Sequence, residues 1–222
     1  MPEIKDIQKV LLNAIIDGEK NLAVETVVNW AKQNTFRKAF TDIFDQVLIE
    51  IGDLWYKNKL SLAQGYIAGK VAEEVFLHAS NDDEFTKHTV KKGNVVVGNI
   101  IDDFHSLGRK LLSIFLKAAG YTVHDLGNDI SAQEFVEKAI ETNARIIGVS
   151  AMMYTTAKNI EQVRAELDKR NLSGKIQLAV GGAVFKLKPE LVEEVGGDDT
   201  ADNAINAPAL FDELWKKSLT YE

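Results

Sequence analysis

The stretch NVVVGNIIDDFHSLGRK, Asn94 to Lys110, decides the fold. Its first half is a near-continuous β-branched apolar run, the pattern of a strand covered on both faces. Helical spacing takes over at Arg109 and continues to Ala119, so a strand passes through one short turn into a helix. That turn carries Asp102, Asp103 and His105 ahead of Gly108, although a turn needs only one or two polar residues and the chain has four histidines in all.

Downstream the alternation repeats. YTVHDL, RIIGVS and IQLAV read as further buried strands, and helical patterns run over Ala132 to Thr142, Thr156 to Lys169 and Ala201 to Lys217. Alternation of this kind predicts a doubly wound five-stranded parallel sheet, Rossmann-type and flavodoxin-like.

Upstream, HASNDDEFTKHTVKKG is polar and aperiodic and reads as a linker. Before it, apolar residues recur at helical spacing from Ile4, with Gly18 and Asn34-Thr35 as punctuation. Ser61 and Gln64 read as a capping box opening a helix from Leu62 to about Leu77. Four helices in this stretch predict a small bundle. The expected organisation is α + α/β: a helical domain over residues 1–85 and a sheet domain over 92–222.

The chain has 222 residues, 45% hydrophobic and 27% charged, enough to bury a sizeable core. A net charge of −7 argues against nucleic acid and anionic membrane surfaces as partners. There is no cysteine, which excludes disulfides, thiolate-held zinc and iron–sulfur clusters. No run approaches the ~18 apolar residues of a membrane span, and the cytoplasm is the expected location.

In a doubly wound sheet ligands bind beyond the carboxyl ends of the strands, where strand order reverses; for order 2-1-3-4-5 that crevice lies between the first and third strands. There the strands deliver Asp103, His105 and Gly108, then Ser150, then Gly181 and Gly182. A phosphate-accepting receiver needs an aspartate after the third strand, where this chain has Ser150-Ala151-Met152. A dinucleotide site wants glycines in the first turn. A metal site remains, with Asp103 placed to orient His105 through its second ring nitrogen. One histidine cannot hold a simple ion alone, but it can be the single protein ligand of a metal already held by a macrocycle.

Asp103-Phe104-His105-Ser106-Leu107-Gly108 matches the D-x-H-x-x-G motif of cobalamin-binding domains that hold the cofactor base-off, with histidine replacing its own dimethylbenzimidazole on cobalt. Ser150-Ala151-Met152 resembles the family's S-x-L element, Gly181-Gly182 its glycine pair, and Gly196-Gly197-Asp198 its fifth-strand G-A-D turn. The resemblance implies His105 as cobalt ligand, Asp103 as its hydrogen-bond partner, Ser150 against the displaced nucleotide tail, and Gly181 and Gly182 leaving room for that tail. It places Ser106, Leu107, Gly108, Met152 and Asp198 in the same cofactor site. Ser106 stands for the family's common Asp, and Asp102 for its common Gly.

The helical half is similar to the cap domain of corrinoid proteins in methyl transfer. IGDLWYKNKLSLAQGYIAG, from Ile51, resembles the stretch in which a tryptophan, here Trp55, approaches the upper face of the cofactor; its spacing fits burial on the helix stripe with Leu54 equally well. Adenosylcobalamin photoreceptors share the layout but carry Glu-His where this chain has Gly65 and Tyr66. The resemblance therefore implies a methyl carrier that cycles between methylcobalamin and Co(I) cobalamin, with little activity alone. Its implied partners are a donor-specific and an acceptor methyltransferase, with a reductive activase as a further candidate. The alternative from another class is a non-catalytic cobalamin sensor or storage protein.

Overall fold

The computed structural model describes residues 3–57, 59–82, 91–204 and 206–221. It divides into two units, residues 1–88 and 89–222. Among the described residues no helix is long and apolar enough to cross a membrane.

The first unit is helical. α1 (Ile4–Ile16) buries Leu11, Ala14 and Ile15, and α2 (Lys20–Gln33) buries Ala23, Val24, Val27, Val28 and Ala31. The next helix comes in three pieces: a turn, α3 (Phe36–Lys38), a π-helical segment over Ala39–Phe44, and α4 (Asp45–Tyr56). Thr35 caps it, its hydroxyl accepting from the Lys38 N–H at 3.2 Å. The wider π turn keeps Phe40, Ile43 and Phe44 all on the buried side. Phe40 stacks on Phe76 with ring centroids 4.4 Å apart, and Phe44 meets Phe76 edge-on at 6.2 Å.

Phe76 belongs to α5 (Leu62–Ser80), which opens with the Ser61–Gln64 capping box that the spacing predicts. Gln64 also reaches across the unit, its Nε2 donating to the Ile16 carbonyl at 2.9 Å. α5 outlasts its expected end, so His78, Ala79 and Ser80 are helical rather than linker; residues 83–90 of that linker lie outside the described residues.

The second unit contains the sheet. β1 (Gly93–Asn99), α6 (Ser106–Ala118), β2 (Tyr121–Asp125), α7 (Ala132–Thr142) and β3 (Ile146–Ser150) are followed by two short helices, α8 (Tyr154–Lys158) and α9 (Glu161–Lys169). Then come β4 (Gln177–Gly181), α10 (Ala183–Leu187), α11 (Leu191–Glu194), β5 (Asp199–Thr200) and α12 (Ala207–Leu219). All strand pairs are parallel and the order is β2-β1-β3-β4-β5, as expected.

Alternate residues of β1 serve opposite faces. Val96 packs with Phe135, Ile147 and Leu178 on one side, and Val95 and Val97 pack with Leu116, Phe211 and Leu214 on the other. Burial of both faces is why the strand reads as an unbroken apolar run.

In the sheet unit three of the expected helices differ from the spacing. α6 begins at Ser106, three residues earlier than expected. The helix expected over Thr156 to Lys169 is interrupted at Asn159, which caps α8. The last helix starts at Ala207 with Pro208 in its first turn, where proline's fixed φ suits a helix start.

Phe135 is fully buried, and its ring lies where a β-carbon on Gly98 would be, at 2.7 Å. Phe135→Ala is expected to lower the unfolding free energy of the sheet unit by ~3–5 kcal/mol, read from urea melts as a lower midpoint at unchanged slope.

Candidate functional site

β1 ends in the turn that carries the odd residues. Asp102 has φ +66, a left-handed conformation that favours glycine and that aspartate tolerates better than most residues. Its N–H donates to Asp129 Oδ1 at 2.8 Å, which holds the turn. The departure from the family's common glycine is thereby accommodated.

The next residue, Asp103, is completely buried. Oδ1 accepts from Asn99 Nδ2 at 2.9 Å and from the His105 N–H at 3.0 Å. Oδ2 accepts from the Met152 N–H at 2.7 Å and from Thr156 Oγ1 at 2.9 Å. Burial alone pushes this carboxyl up, but the bonds from Met152, His105, Asn99 and Thr156 outweigh it and hold the pKa below its ordinary value. The group is therefore a fixed anion.

His105 stands in front of that anion. Its Nδ1 is 3.4 Å from Asp103 Oδ1, and the side chain is 52% exposed. Asn99 braces the same turn from behind, donating from Nδ2 to the His105 carbonyl at 3.2 Å. The Asn99 amide is in turn set by Arg109, whose Nε donates to its Oδ1 at 2.9 Å. Arg109 is buried, pairs with Asp125 and donates to Asn128 Oδ1 at 3.2 Å. Burial lowers the pKa of its guanidinium.

Beside this turn lies a cavity of about 510 Å³, walled by α6, the carboxyl ends of β3 and β4, and α12. Gly108, Ser150, Gly181 and Gly182 all contribute to its wall. A β-carbon added at Gly108 or Gly181 would meet nothing within 4 Å, so these two positions open onto space.

Gly182 is different. Its φ is +127 and an added β-carbon would sit 1.9 Å from the Ala151 carbonyl oxygen. Its missing side chain is needed first by the backbone.

Ser106 opens α6, and Leu107 and Met152 lie at the rim, partly exposed. Phe104, next to His105 in the chain, is 64% exposed, and Met153 and Tyr154, after β3, are exposed as well.

One expected residue does not join this edge. Asp198 precedes β5 and lies at the amino side of the sheet; its Oδ2 accepts from Arg164 Nη2 at 2.8 Å and from the Leu178 N–H at 2.6 Å, and it is absent from the cavity wall. Its carboxylate ties Arg164 of α9 to the backbone of β4. Trp55 falls within α4, and its side chain lies outside the described residues.

Sequence spacing passed over Asn99, Arg109, Thr156, Phe104, Met153 and Tyr154. Two signals were available: an asparagine closing an otherwise apolar strand, and an arginine four residues after His105, one turn along the helix.

Among the described residues no three His, Cys, Asp or Glu side chains come together to hold a metal ion. A half-exposed imidazole, backed by a fixed anion and flanked by exposed apolar side chains, suits a metal carried in a flat apolar macrocycle. The adjoining cavity suits an appended group.

Two family models, each described as a B12 binding domain, match residues 93–209 and 7–79. Dimethylamine corrinoid protein 1 of Methanosarcina mazei is 34% identical over 221 residues, covering 96% of this chain and 98% of that protein. The chain belongs to the family of B12-binding corrinoid proteins. Its cofactor is cobalamin. The fold of this corrinoid protein is that of the Methanosarcina barkeri monomethylamine corrinoid protein, with a TM-score of 0.76 at 21% identity over 96% of this chain and 100% of that one. A chain of the Methanosarcina barkeri methanol:cobalamin methyltransferase complex also matches, with a TM-score of 0.53 at 22% identity over 95% of this chain and 80% of that one.

The two glycines of the corrinoid protein can be told apart. Gly181→Leu is expected to leave the melting temperature nearly unchanged while weakening cobalamin binding, because its side chain enters the cavity. Gly182→Ala is expected to lose at least ~1–3 kcal/mol of stability, because it forces the backbone of Ala151 to move. Paired thermal melts and hydroxocobalamin titrations check both; the reverse pattern would assign the space-making role to Gly182.

Proposed function

We propose that this corrinoid protein holds cobalamin base-off, with His105 Nε2 as the lower cobalt ligand, and carries a methyl group from a donor-specific methyltransferase to an acceptor methyltransferase. The observation that carries this reading is the half-exposed His105 ring, whose Nδ1 lies 3.4 Å from Oδ1 of a buried, ionised carboxylate. When bound, cobalamin supplies a cobalt centre able to accept and release a methyl group. What the chain supplies is position.

Asp103 favours the tautomer with its proton on Nδ1, facing the carboxylate, which leaves the Nε2 lone pair for cobalt. Phe104, Leu107, Met152 and Tyr154 offer an apolar seat for the macrocycle. Gly108, Ser150, Gly181 and Gly182 wall the cavity in which the displaced nucleotide tail would lie. The other residues expected at the cofactor keep narrower roles: Ser106 starts the helix behind the ligand, and Trp55 is the candidate residue of the helical unit for the upper face.

The carrier reading is favoured over an adenosylcobalamin photoreceptor at two positions on α5. Gly65 offers no side chain, and Tyr66 is an exposed phenol rather than an imidazole able to take cobalt. The methyl donor is set by the partner's active site. The dimethylamine corrinoid relatives make a methylated amine the first donor to offer.

The test needs no known substrate. Wild-type protein loaded with hydroxocobalamin is expected to show the absorption of a base-off, histidine-ligated cobalamin. His105→Ala is expected to lose that signature while retaining bound corrinoid in the cavity. A spectrum unchanged by the substitution would falsify the ligand assignment. The carrier role is checked separately, by methylation of the reduced holoprotein with a cognate methyltransferase and its donor.

A further inference from the structure

We propose that Arg109 is a positioning residue that couples occupation of the cavity to the placement of His105. The proposal rests on the reading of His105 as the cobalt ligand. Arg109 belongs to two structures at once: it forms part of the cavity wall, and it is the far end of the chain of hydrogen bonds that reaches His105.

That chain runs through an amide with two different ends. Asn99 Oδ1 accepts from Arg109 Nε at 2.9 Å, and Asn99 Nδ2 donates to Asp103 Oδ1 at 2.9 Å and to the His105 carbonyl at 3.2 Å. A flipped amide would turn oxygen toward both the Asp103 carboxylate and the His105 carbonyl, and its NH₂ toward a guanidinium that can only donate. Arg109 therefore dictates which way Asn99 faces, and Asn99 supplies one of the two donors on the carboxylate oxygen nearest the His105 ring.

Arg109 is itself held on its far side by Asp125, which also accepts from Ser113 Oγ at 3.1 Å and from the Gly127 N–H at 3.0 Å. With that side fixed, the cavity side is where a ligand can act. A nucleotide tail lying there covers the 6% of the Arg109 side chain that is still exposed, and hydrogen bonds from a charged donor strengthen as the last water is excluded. A filled cavity tightens Arg109 on Asn99, Asn99 on Asp103, and hence the seat of His105. Direct tail contacts alone would add affinity without altering the histidine.

The test compares cobalamin with cobinamide, a corrinoid lacking the nucleotide tail, using dissociation constants and visible spectra at saturation. In the wild-type background, His105→Ala is expected to weaken cobalamin binding more than cobinamide binding, by about tenfold, the size of coupling seen between groups in one network. In Arg109→Gln that excess is expected to vanish, and the histidine-ligated spectrum to become the same for both corrinoids. Arg109→Lys keeps a cation beside Asp125 but has no Nε–H for Asn99, and it is expected to lose the excess as well. Thermal melts identify which variant is folded. An excess that persists in either folded variant overturns the proposal. A wild-type spectrum that His105→Ala leaves unchanged overturns the ligand reading, and the proposal with it.

Discussion

The buried carboxylate of Asp103 is the constraint around which the sheet unit is arranged. A charge removed from water is costly unless its lone pairs are matched by donors. Here the donors come from four places: Asn99 at the end of β1, His105 in the following turn, Met152 after β3, and Thr156 in α8. Those segments meet only because β1 and β3 lie side by side, with the chain crossing over between them. Strand order and the anion therefore support each other, and the result is an imidazole with one side fixed and one side free.

The cavity next to it shows how little side-chain volume can decide. Gly108 and Gly181 leave space, whereas Gly182 lets one backbone pass close to another. Two adjacent glycines thus answer different physical demands, one of volume and one of conformation. Treating the pair as a single tail-accommodating element hides that difference.

Much of this was legible in the sequence. Unbroken apolar runs separated by helical spacing specify a parallel sheet covered on both faces, and Asp103 and His105 stand on the turn, with Gly108 in the first turn of the helix after it, at the edge that strand order marks out. What escaped is instructive. Asp198 sits in a glycine-rich turn, but the turn does not say at which end of its strand it lies, and β5 is only two residues long. It points to the amino side. Asn99 and Arg109 are polar residues in ordinary-looking places, and their role exists only once α6 folds back over β1. The π-helical segment was equally hidden, because Phe36, Phe40 and Phe44 fit an α-helical stripe as well as a wider one.

The cavity walls carry one more consequence. They come from α6, β3, β4 and α12, so the lining runs from Gly108 to Phe211 across most of the sheet unit. A ligand that touches them all binds the folded unit and not the unfolded chain. By mass action it adds about 2.7 kcal/mol of stability at a hundred times its dissociation constant. Such a margin is a large share of what holds an ordinary domain together, typically about 5–15 kcal/mol. Proteases that act on transiently opened chains would therefore clear this protein fastest when corrinoid is scarce, and its abundance would follow the supply of its cofactor.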